Sequence, residues 1–104
     1  METKCNVGPN VKKIRTLEDT VEFMMSSDYK KRFVGEYLQT KIRYEKLKAY
    51  NTKIAAAEMC MKVTAPPHDC PYHLLRDQQS AMGEYLCMLE IRAVIEGINL
   101  EDYK

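Results

Sequence analysis

Residues 26–57 read SSDYKKRFVGEYLQTKIRYEKLKAYNTKIAAA, and this stretch decides the fold. Apolar and aromatic residues recur in it at spacings of three and four, which is the period of one face of an α-helix. Ser26, Ser27 and Asp28 stand before the pattern, where such side chains accept hydrogen bonds from the free N–H groups of a first helical turn. We therefore predict one helix from about residue 28 to about residue 57, roughly 45 Å long. Its first apolar stripe contains Phe33, Tyr37, Thr40, Tyr44, Leu47 and Ile54, and its second contains Val34, Leu38, Ile42 and Ala49.

A second long helix is predicted after two consecutive prolines, which cannot continue the first one. Asp69 or Cys70 is expected as its cap, and Pro71 suits the first helical position because no N–H is needed there. The helix is expected to span about residues 71–96 and to end at Gly97. One of its stripes contains Leu75, Met82, Leu86, Leu89 and Ala93, and the other contains Leu74, Ala81, Tyr85, Met88 and Ile95.

The N-terminal region is predicted to form a short helix over residues 11–25, where apolar residues again recur at spacings of three and four. The domain organisation that follows is an N-terminal arm or short helix, residues 1–25, before a helical hairpin domain, residues 26–100. The predicted fold class is all-α, an antiparallel two-helix hairpin with this short arm.

Self-association is expected because each long helix carries two apolar stripes, while one helix facing another covers a single stripe on each. Two long helices and an arm would leave the second stripes in water, and large exposed apolar patches are uncommon on monomers. A chain of 104 residues in an elongated shape also buries little surface. We therefore expect the hairpin to assemble into a homo-oligomeric bundle.

Composition narrows the class of protein. The chain has no apolar run near the roughly 18 residues of a membrane span, and its N-terminus lacks the apolar segment of a signal peptide. The expected location is the cytoplasm, with reduced cysteines and no membrane partner. Four residues of the connecting segment resemble a zinc set, but their spacing does not fit the common zinc fingers, so no metal is expected. These residues are Cys60, His68, Cys70 and His73.

No motif for catalysis or for a cofactor is present. The chain has no credible Ser/His/Asp set, no glycine-rich phosphate loop, no dinucleotide fingerprint and no His-Glu-x-x-His pattern. Long helices without loops around a cleft offer little place for an active site. We expect a protein that is not an enzyme and that has no cofactor.

Charge divides the chain in two. Residues 28–53 contain eight basic and three acidic side chains, whereas residues 74–104 contain three basic and six acidic ones. The two halves either attract each other or the basic half meets an anion such as a phosphate. A formal net charge of only +1 argues against a nucleic-acid binder.

Tyrosines alternate with basic residues along the first long helix, and two interpretations are open. Tyrosine rings stack on nucleobases and arginine forks grip phosphates, which favours a ligand site. Tyrosines at an oligomer interface beside solvated Lys and Arg give the same pattern. Four polar residues near the apolar stripes are expected to be buried hydrogen-bonding groups, namely Gln39, Gln78, Gln79 and Arg92.

Both halves of the hairpin resemble a family of short phage proteins related to a crAss-like phage protein. The resemblance covers about residues 26–100 and rests on SDYKxRFxxEYxQxxxRYxKL at residues 27–47 and CPxxLLxxQxxAMxxYLxxLxxRAxIEGI at residues 70–98. That family is similar to the helical hairpins of the anti-CBASS and anti-Thoeris sponges. Those proteins are oligomers that hold cyclic nucleotide or cyclic ADP-ribose signals without cleaving them.

The resemblance implies a phage anti-defence protein that sequesters a nucleotide-derived immune second messenger. Basic first-helix residues from neighbouring chains would then surround a pocket, with arginines and a lysine on phosphates and a tyrosine on a base. The alternative is a helical module that docks a host or phage protein in a groove. The candidate ligand residues are Tyr29, Lys31, Arg32, Tyr37, Arg43 and Tyr44.

Overall fold

The computed structural model describes residues 14–103, and within them only helices and turns occur. Hydrogen bonds from Tyr29 to Glu96 and from Asn51 to Gln79 show that the two long helices run antiparallel. The predicted all-α fold with two long helices packed together is confirmed. In chain order, the elements are a 3₁₀ turn Glu18–Thr20, α1 Val21–Met24, α2 Tyr29–Met59, α3 Tyr72–Glu96 and a second 3₁₀ turn Glu101–Tyr103.

The start of α2 is capped as the sequence predicts. Asp28 has an extended backbone, and its Oδ1 accepts a hydrogen bond from the backbone N–H of Lys30 at 2.9 Å. This contact satisfies one of the N–H groups that the first turn leaves unpaired. The helix then runs two residues beyond the predicted end, to Met59.

The start of α3 differs from the prediction. Pro71 is the N-cap rather than the first helical residue, and no side chain caps the helix. Pro71 has an extended backbone, and its carbonyl accepts hydrogen bonds from the N–H groups of Leu74 and Leu75 at 3.1 and 3.3 Å. The expectation that Asp69 or Cys70 caps α3 was therefore wrong. The predicted end is confirmed, since Gly97 has a φ of 72°, which glycine adopts without strain.

The N-terminal region forms less helix than predicted. Only one 3₁₀ turn and the single turn α1 occur between residues 14 and 25, and residues 11–13 of the predicted helix lie outside the described part of the chain. Asp19 explains the late start, because its carboxylate accepts hydrogen bonds from the N–H groups of Arg15 and Thr16. Thr16 Oγ1 in turn accepts from the N–H of Asp19, so the pair forms a reciprocal capping arrangement.

The first half of the second stripe of α2 is covered, contrary to expectation, whereas Ala49 at its far end is exposed. Val34 and Leu38 are buried in the same core cluster as Ile14 of the arm and Leu100 of the C-terminal segment, residues 98–103. Phe23 of the arm and Tyr103 of the C-terminal segment pack edge to face, with ring centroids 5.3 Å apart. The arm and the C-terminal segment thus close over one side of α2 together.

The second stripe of α3 stays in water, as the periodicity predicts. The exposed fraction is 77% for Ile95, 58% for Met88 and 51% for Leu74. The described chain therefore covers one outer stripe of the hairpin and leaves the other bare. Within residues 14–103, no helix combines the length and the apolar character needed to cross a membrane.

Candidate functional site

Two concave regions contain three of the six predicted ligand residues. The first, called the arginine pocket, lies where the start of α2 meets the end of α3 and has a volume of about 350 Å³. It brings the predicted residues Tyr29 and Arg32 together with Arg92 of α3. Its lining consists of Met24, Tyr29, Arg32, Phe33, Glu36 and Arg92.

Hydrogen bonds and stacking organise the arginine pocket. The Arg92 guanidinium lies 4.8 Å from the centroid of the Phe33 ring, and its Nε donates to Glu96 Oε2 at 2.8 Å. The Tyr29 hydroxyl donates to the other carboxylate oxygen of Glu96. Arg32 Nη1 donates to the backbone carbonyl of Ser26 at 2.9 Å. Two guanidinium groups therefore line one small pocket, each held by one partner.

Glu96 holds the charges of this pocket in place. Hydrogen bonds from Tyr29 and then from Arg92 lower the pKa of Glu96 below its ordinary value. The same hydrogen bond to the carboxylate raises the pKa of Tyr29, so its hydroxyl keeps its proton. Arg92 is exposed, so the expectation that it is a buried hydrogen-bonding group was wrong. An incoming anion would compete with Glu96 for the Arg92 guanidinium.

The other predicted residues lie apart from this pocket. Tyr37 is fully buried, and its hydroxyl donates to Glu90 Oε2 at 2.7 Å. Burial and that hydrogen bond raise the pKa of Tyr37 far above its ordinary value. Its ring belongs to the core of the single chain. Lys31 is exposed and lines a 280 Å³ depression against the arm, and Arg43 is exposed on α2.

The second region, called the central cleft, runs between α2 and α3 and has a volume of about 910 Å³. Tyr44 is the one predicted ligand residue in its lining. The Tyr44 ring lies against Gly83, where an added Cβ would meet its Cε1 at 3.3 Å. The lining consists of Tyr44, Asn51, Thr52, Ala55, Tyr72, Arg76, Asp77, Gln79, Ser80, Gly83, Glu84 and Cys87.

Asn51 is the residue of this cleft that the sequence analysis missed. Only 3% of it is exposed, and its Nδ2 donates to the Leu75 carbonyl at 3.1 Å and to Gln79 Oε1 at 2.9 Å. The predicted hydrogen-bonding role of Gln79 is confirmed, whereas Gln78 is exposed. A signal for Asn51 exists in the sequence, because it follows Tyr37 and Tyr44 at intervals of seven residues on the same helical face.

The charges of the central cleft come from α3. The Arg76 guanidinium lies 5.6 Å from the centroid of the Tyr72 ring, a cation–π distance. Asp77 and Glu84 are exposed at the same cleft. Among residues 14–103, no group of three or more His, Cys, Asp or Glu side chains is arranged to hold a metal ion.

Comparison with known proteins gives one result. A family model described as Sequestin matches residues 27–95, which is about two thirds of the chain. The matched region contains nearly all of both long helices, the connecting segment and every lining residue of both concave regions except Met24. Neither a curated protein nor a solved structure matches the chain.

Proposed function

The chain belongs to the Sequestin family, and we propose that it binds a nucleotide-derived immune second messenger and holds it without cleaving it. The observation that carries the proposal is the family match over residues 27–95, since the family name points to sequestration. The messenger we propose is of the cyclic oligonucleotide or cyclic ADP-ribose type. A phage protein acting in the cytoplasm of an infected host would evade an immune response in this way.

The arginine pocket supports the proposal with suitable chemistry. Arg32 and Arg92 present guanidinium groups, which form paired hydrogen bonds with phosphate oxygens. Tyr29 is half-exposed beside them, and a tyrosine ring offers a stacking surface to any base. Retention needs only tight binding, and these residues supply no nucleophile or metal that would cut the ligand.

Lys31, Arg43 and Tyr44 complete the proposed set from neighbouring copies. Lys31 and Arg43 are exposed, so both are accessible to a phosphate held mainly by another chain. Tyr44 presents its ring to the central cleft. We leave Tyr37 out of the ligand set because its ring is packed inside the core.

A retention experiment tests the proposal. The protein is mixed with cyclic oligonucleotides or cyclic ADP-ribose isomers, freed of unbound ligand and denatured, and the released molecule is identified by mass spectrometry. We expect one candidate to be recovered intact, and we expect Arg32→Ala and Arg92→Ala to reduce its recovery at least tenfold. Lys53→Ala removes an exposed α2 cation outside both regions and serves as the matched control. Recovery of a cleaved product, or of no candidate at all, contradicts the proposal.

We further propose that the outer face of α3 pairs with a second copy of the chain. An antiparallel pair of α3 helices with its two-fold axis at Met88 sets residues equally distant from Met88 opposite each other. Ala81 then faces the partner's Ile95, so a small side chain meets a large one and the face is complementary to itself. The exposed apolar side chains of this face are Leu74, Tyr85, Met88, Ile91 and Ile95.

Such a pair would also serve the arginine pocket. Arg92 lies on the same helix as the face and one turn from Met88 and Ile95. A second copy seated on that face would therefore border the open side of the pocket. In this proposed arrangement, the second copy would help to enclose a ligand that one copy leaves in contact with water.

Sedimentation at micromolar concentration tests the pairing. We expect the wild-type protein to be a dimer or larger, and Met88→Glu to be a monomer because its carboxylate would be buried against its own copy at the axis. Lys48→Glu changes an exposed α2 position instead and should leave the assembly intact. A monomeric wild-type protein overturns the pairing, and a stoichiometric host or phage protein on the same face would favour the alternative function of a protein-docking module.

A further inference from the structure

A further concave region, called the apolar depression, lies on α2 where the arm and the C-terminal segment meet it. It has a volume of about 330 Å³, which is near the lower end of the range for small-molecule sites. The arm, α2 and the C-terminal segment all contribute to its wall. Its lining consists of Ile14, Arg15, Leu38, Lys41, Ile42, Glu45, Lys46 and Tyr103.

The floor of the depression is apolar. Ile14 and Leu38 are buried in the main core cluster, and Ile42 is half-buried and packs against that cluster. Along α2, the second stripe is buried at Leu38, half-buried at Ile42 and exposed at Ala49. The depression therefore lies where the chain's own cover of this stripe ends. An apolar group seated there would extend that cover and remove Ile42 from water.

The rim of the depression is cationic. Arg15, Lys41 and Lys46 stand around the apolar floor, and Glu45 is the single acidic residue of the lining. The Glu45 carboxylate lies 3.8 Å from Lys41 Nζ, so it already has a cationic partner. Arg15 and Lys46 are exposed and add two further positive charges. A molecule with an apolar tail and a negative head is complementary to this arrangement.

The same charges disfavour an occupant from the start of the chain. Residues 1–13 precede Ile14 and contain three lysines and one glutamate. Placing that sequence in the depression would bring like charges to the rim. An anionic molecule meets opposite charges there instead.

We infer that the apolar depression binds a single-chain amphiphile with an anionic head, of the fatty-acid class. The acyl tail packs on Leu38 and Ile42, and the carboxylate lies between Arg15 and Lys46 at the rim. Burial of the tail supplies most of the affinity, and the charged head fixes its direction. The inference goes beyond the proposed function, because it needs no nucleotide and no residue of the arginine pocket or the central cleft.

Calorimetric titration of the full chain with decanoate tests the site. We expect saturable binding of one decanoate per chain. Hexanoate should bind at least tenfold more weakly, because each buried methylene contributes a factor of about four. Decyltrimethylammonium has a ten-carbon tail with a cationic head, and it should also bind at least tenfold more weakly than decanoate.

Two results of this titration overturn the inference. They are the absence of saturable decanoate binding at millimolar concentration, and equal binding of decanoate and decyltrimethylammonium. The probes contain neither a base nor a phosphate, so either failure leaves the messenger proposal standing.

A charge reversal on the rim locates the head of the ligand. Lys46→Glu changes an exposed position, and we expect it to weaken decanoate binding at least fivefold and to strengthen that of decyltrimethylammonium. Lys48→Glu makes the same exchange two residues further along α2, outside the depression, and should change neither affinity by more than twofold. Equal decanoate binding by these two variants contradicts the assignment.

A second variant locates the tail. Ile42→Glu places a carboxylate on the apolar floor and should abolish decanoate binding, whereas decanoate binding that survives in a folded Ile42→Glu protein contradicts the inference. If that variant fails to fold, the reversal at Lys46 still decides the question. Sedimentation of Lys46→Glu gives one further outcome, since loss of the assembly would assign the depression to a second copy of the chain and overturn the inference.

Discussion

The outer stripes of α2 and α3 have similar apolar character but different fates. Val34 and Leu38 of α2 are buried beneath the arm and the C-terminal segment, whereas Met88 and Ile95 of α3 are more than half exposed. An apolar stripe at helical spacing therefore predicts that another part of the protein or a second molecule packs on it. The spacing does not identify which of these packs there. The chain covers the first stripe itself, and we propose that a second copy covers the other.

The difference has a local cause. Gly97 turns the chain back after α3, and the residues that follow line depressions on α2 beside Val34 and Leu38. Gly35 lets the arm approach α2, since an added Cβ there would lie 2.9 Å from the Cβ of Phe23. Two glycines thus determine which stripe is covered.

The largest expected effect is a difference in how much the two stripes contribute to the free energy of unfolding. Leu38→Ala should reduce the free energy of unfolding by about 2–4 kcal/mol, because it leaves a cavity in the core. Met88→Ala should change that of the single chain by no more than about 0.5 kcal/mol, because its side chain is already in water. Urea unfolding at low protein concentration measures both. Equal losses would show that the two stripes do not differ in this way.

A second comparison concerns the two glycines at which another part of the chain packs closely against a long helix. Gly35→Ala should destabilise the chain by about 1–3 kcal/mol, because the new Cβ meets Phe23 and the backbone of Met24. Gly83→Ala should cost less than about 1 kcal/mol, since it meets only the edge of the Tyr44 ring, which can move. Thermal unfolding compares them. A larger loss of unfolding free energy in Gly83→Ala than in Gly35→Ala would contradict the view that the close contact between the arm and α2 stabilises the fold.

The smallest expected effect on stability concerns Tyr37, which is buried between α2 and α3. Burial raises the pKa of Tyr37 above its ordinary value of 10.0, so the folded state favours the neutral phenol. The stability that this shift contributes is complete below pH 10 and is lost as the pH rises further. Tyr37→Phe should cost about 1 kcal/mol at pH 7 and make unfolding less sensitive to pH above 10. An unchanged alkaline decline in the variant would contradict this assignment.

The long helices could be predicted because their signals are local. Asp28 precedes a regular apolar period, two prolines interrupt it, and Gly97 ends it. The short arm was predicted less well, because the reciprocal bonds of Thr16 and Asp19 start its turn later than apolar spacing alone indicates. A Thr-x-x-Asp pair was the available signal.

The candidate sites were harder to predict because they join distant residues. Tyr29 and Arg32 follow from the pattern of α2, but Arg92 joins them only once the hairpin has formed. Asn51 reads as a surface residue until the Leu75 carbonyl packs against it. The burial of Tyr37 could not be told from ligand stacking, because both uses require an aromatic ring on that face.

The edge-to-face contact of Phe23 with Tyr103 limits the number of apolar faces through which one chain can bind other copies. A molecule with one bare self-complementary face forms closed pairs, and association then stops. If this contact opened, the stripe of α2 would become a second adhesive face, and such molecules can add end to end without limit. The packing of these two rings over α2 would thereby keep the assembly a finite complex and prevent growth into a filament.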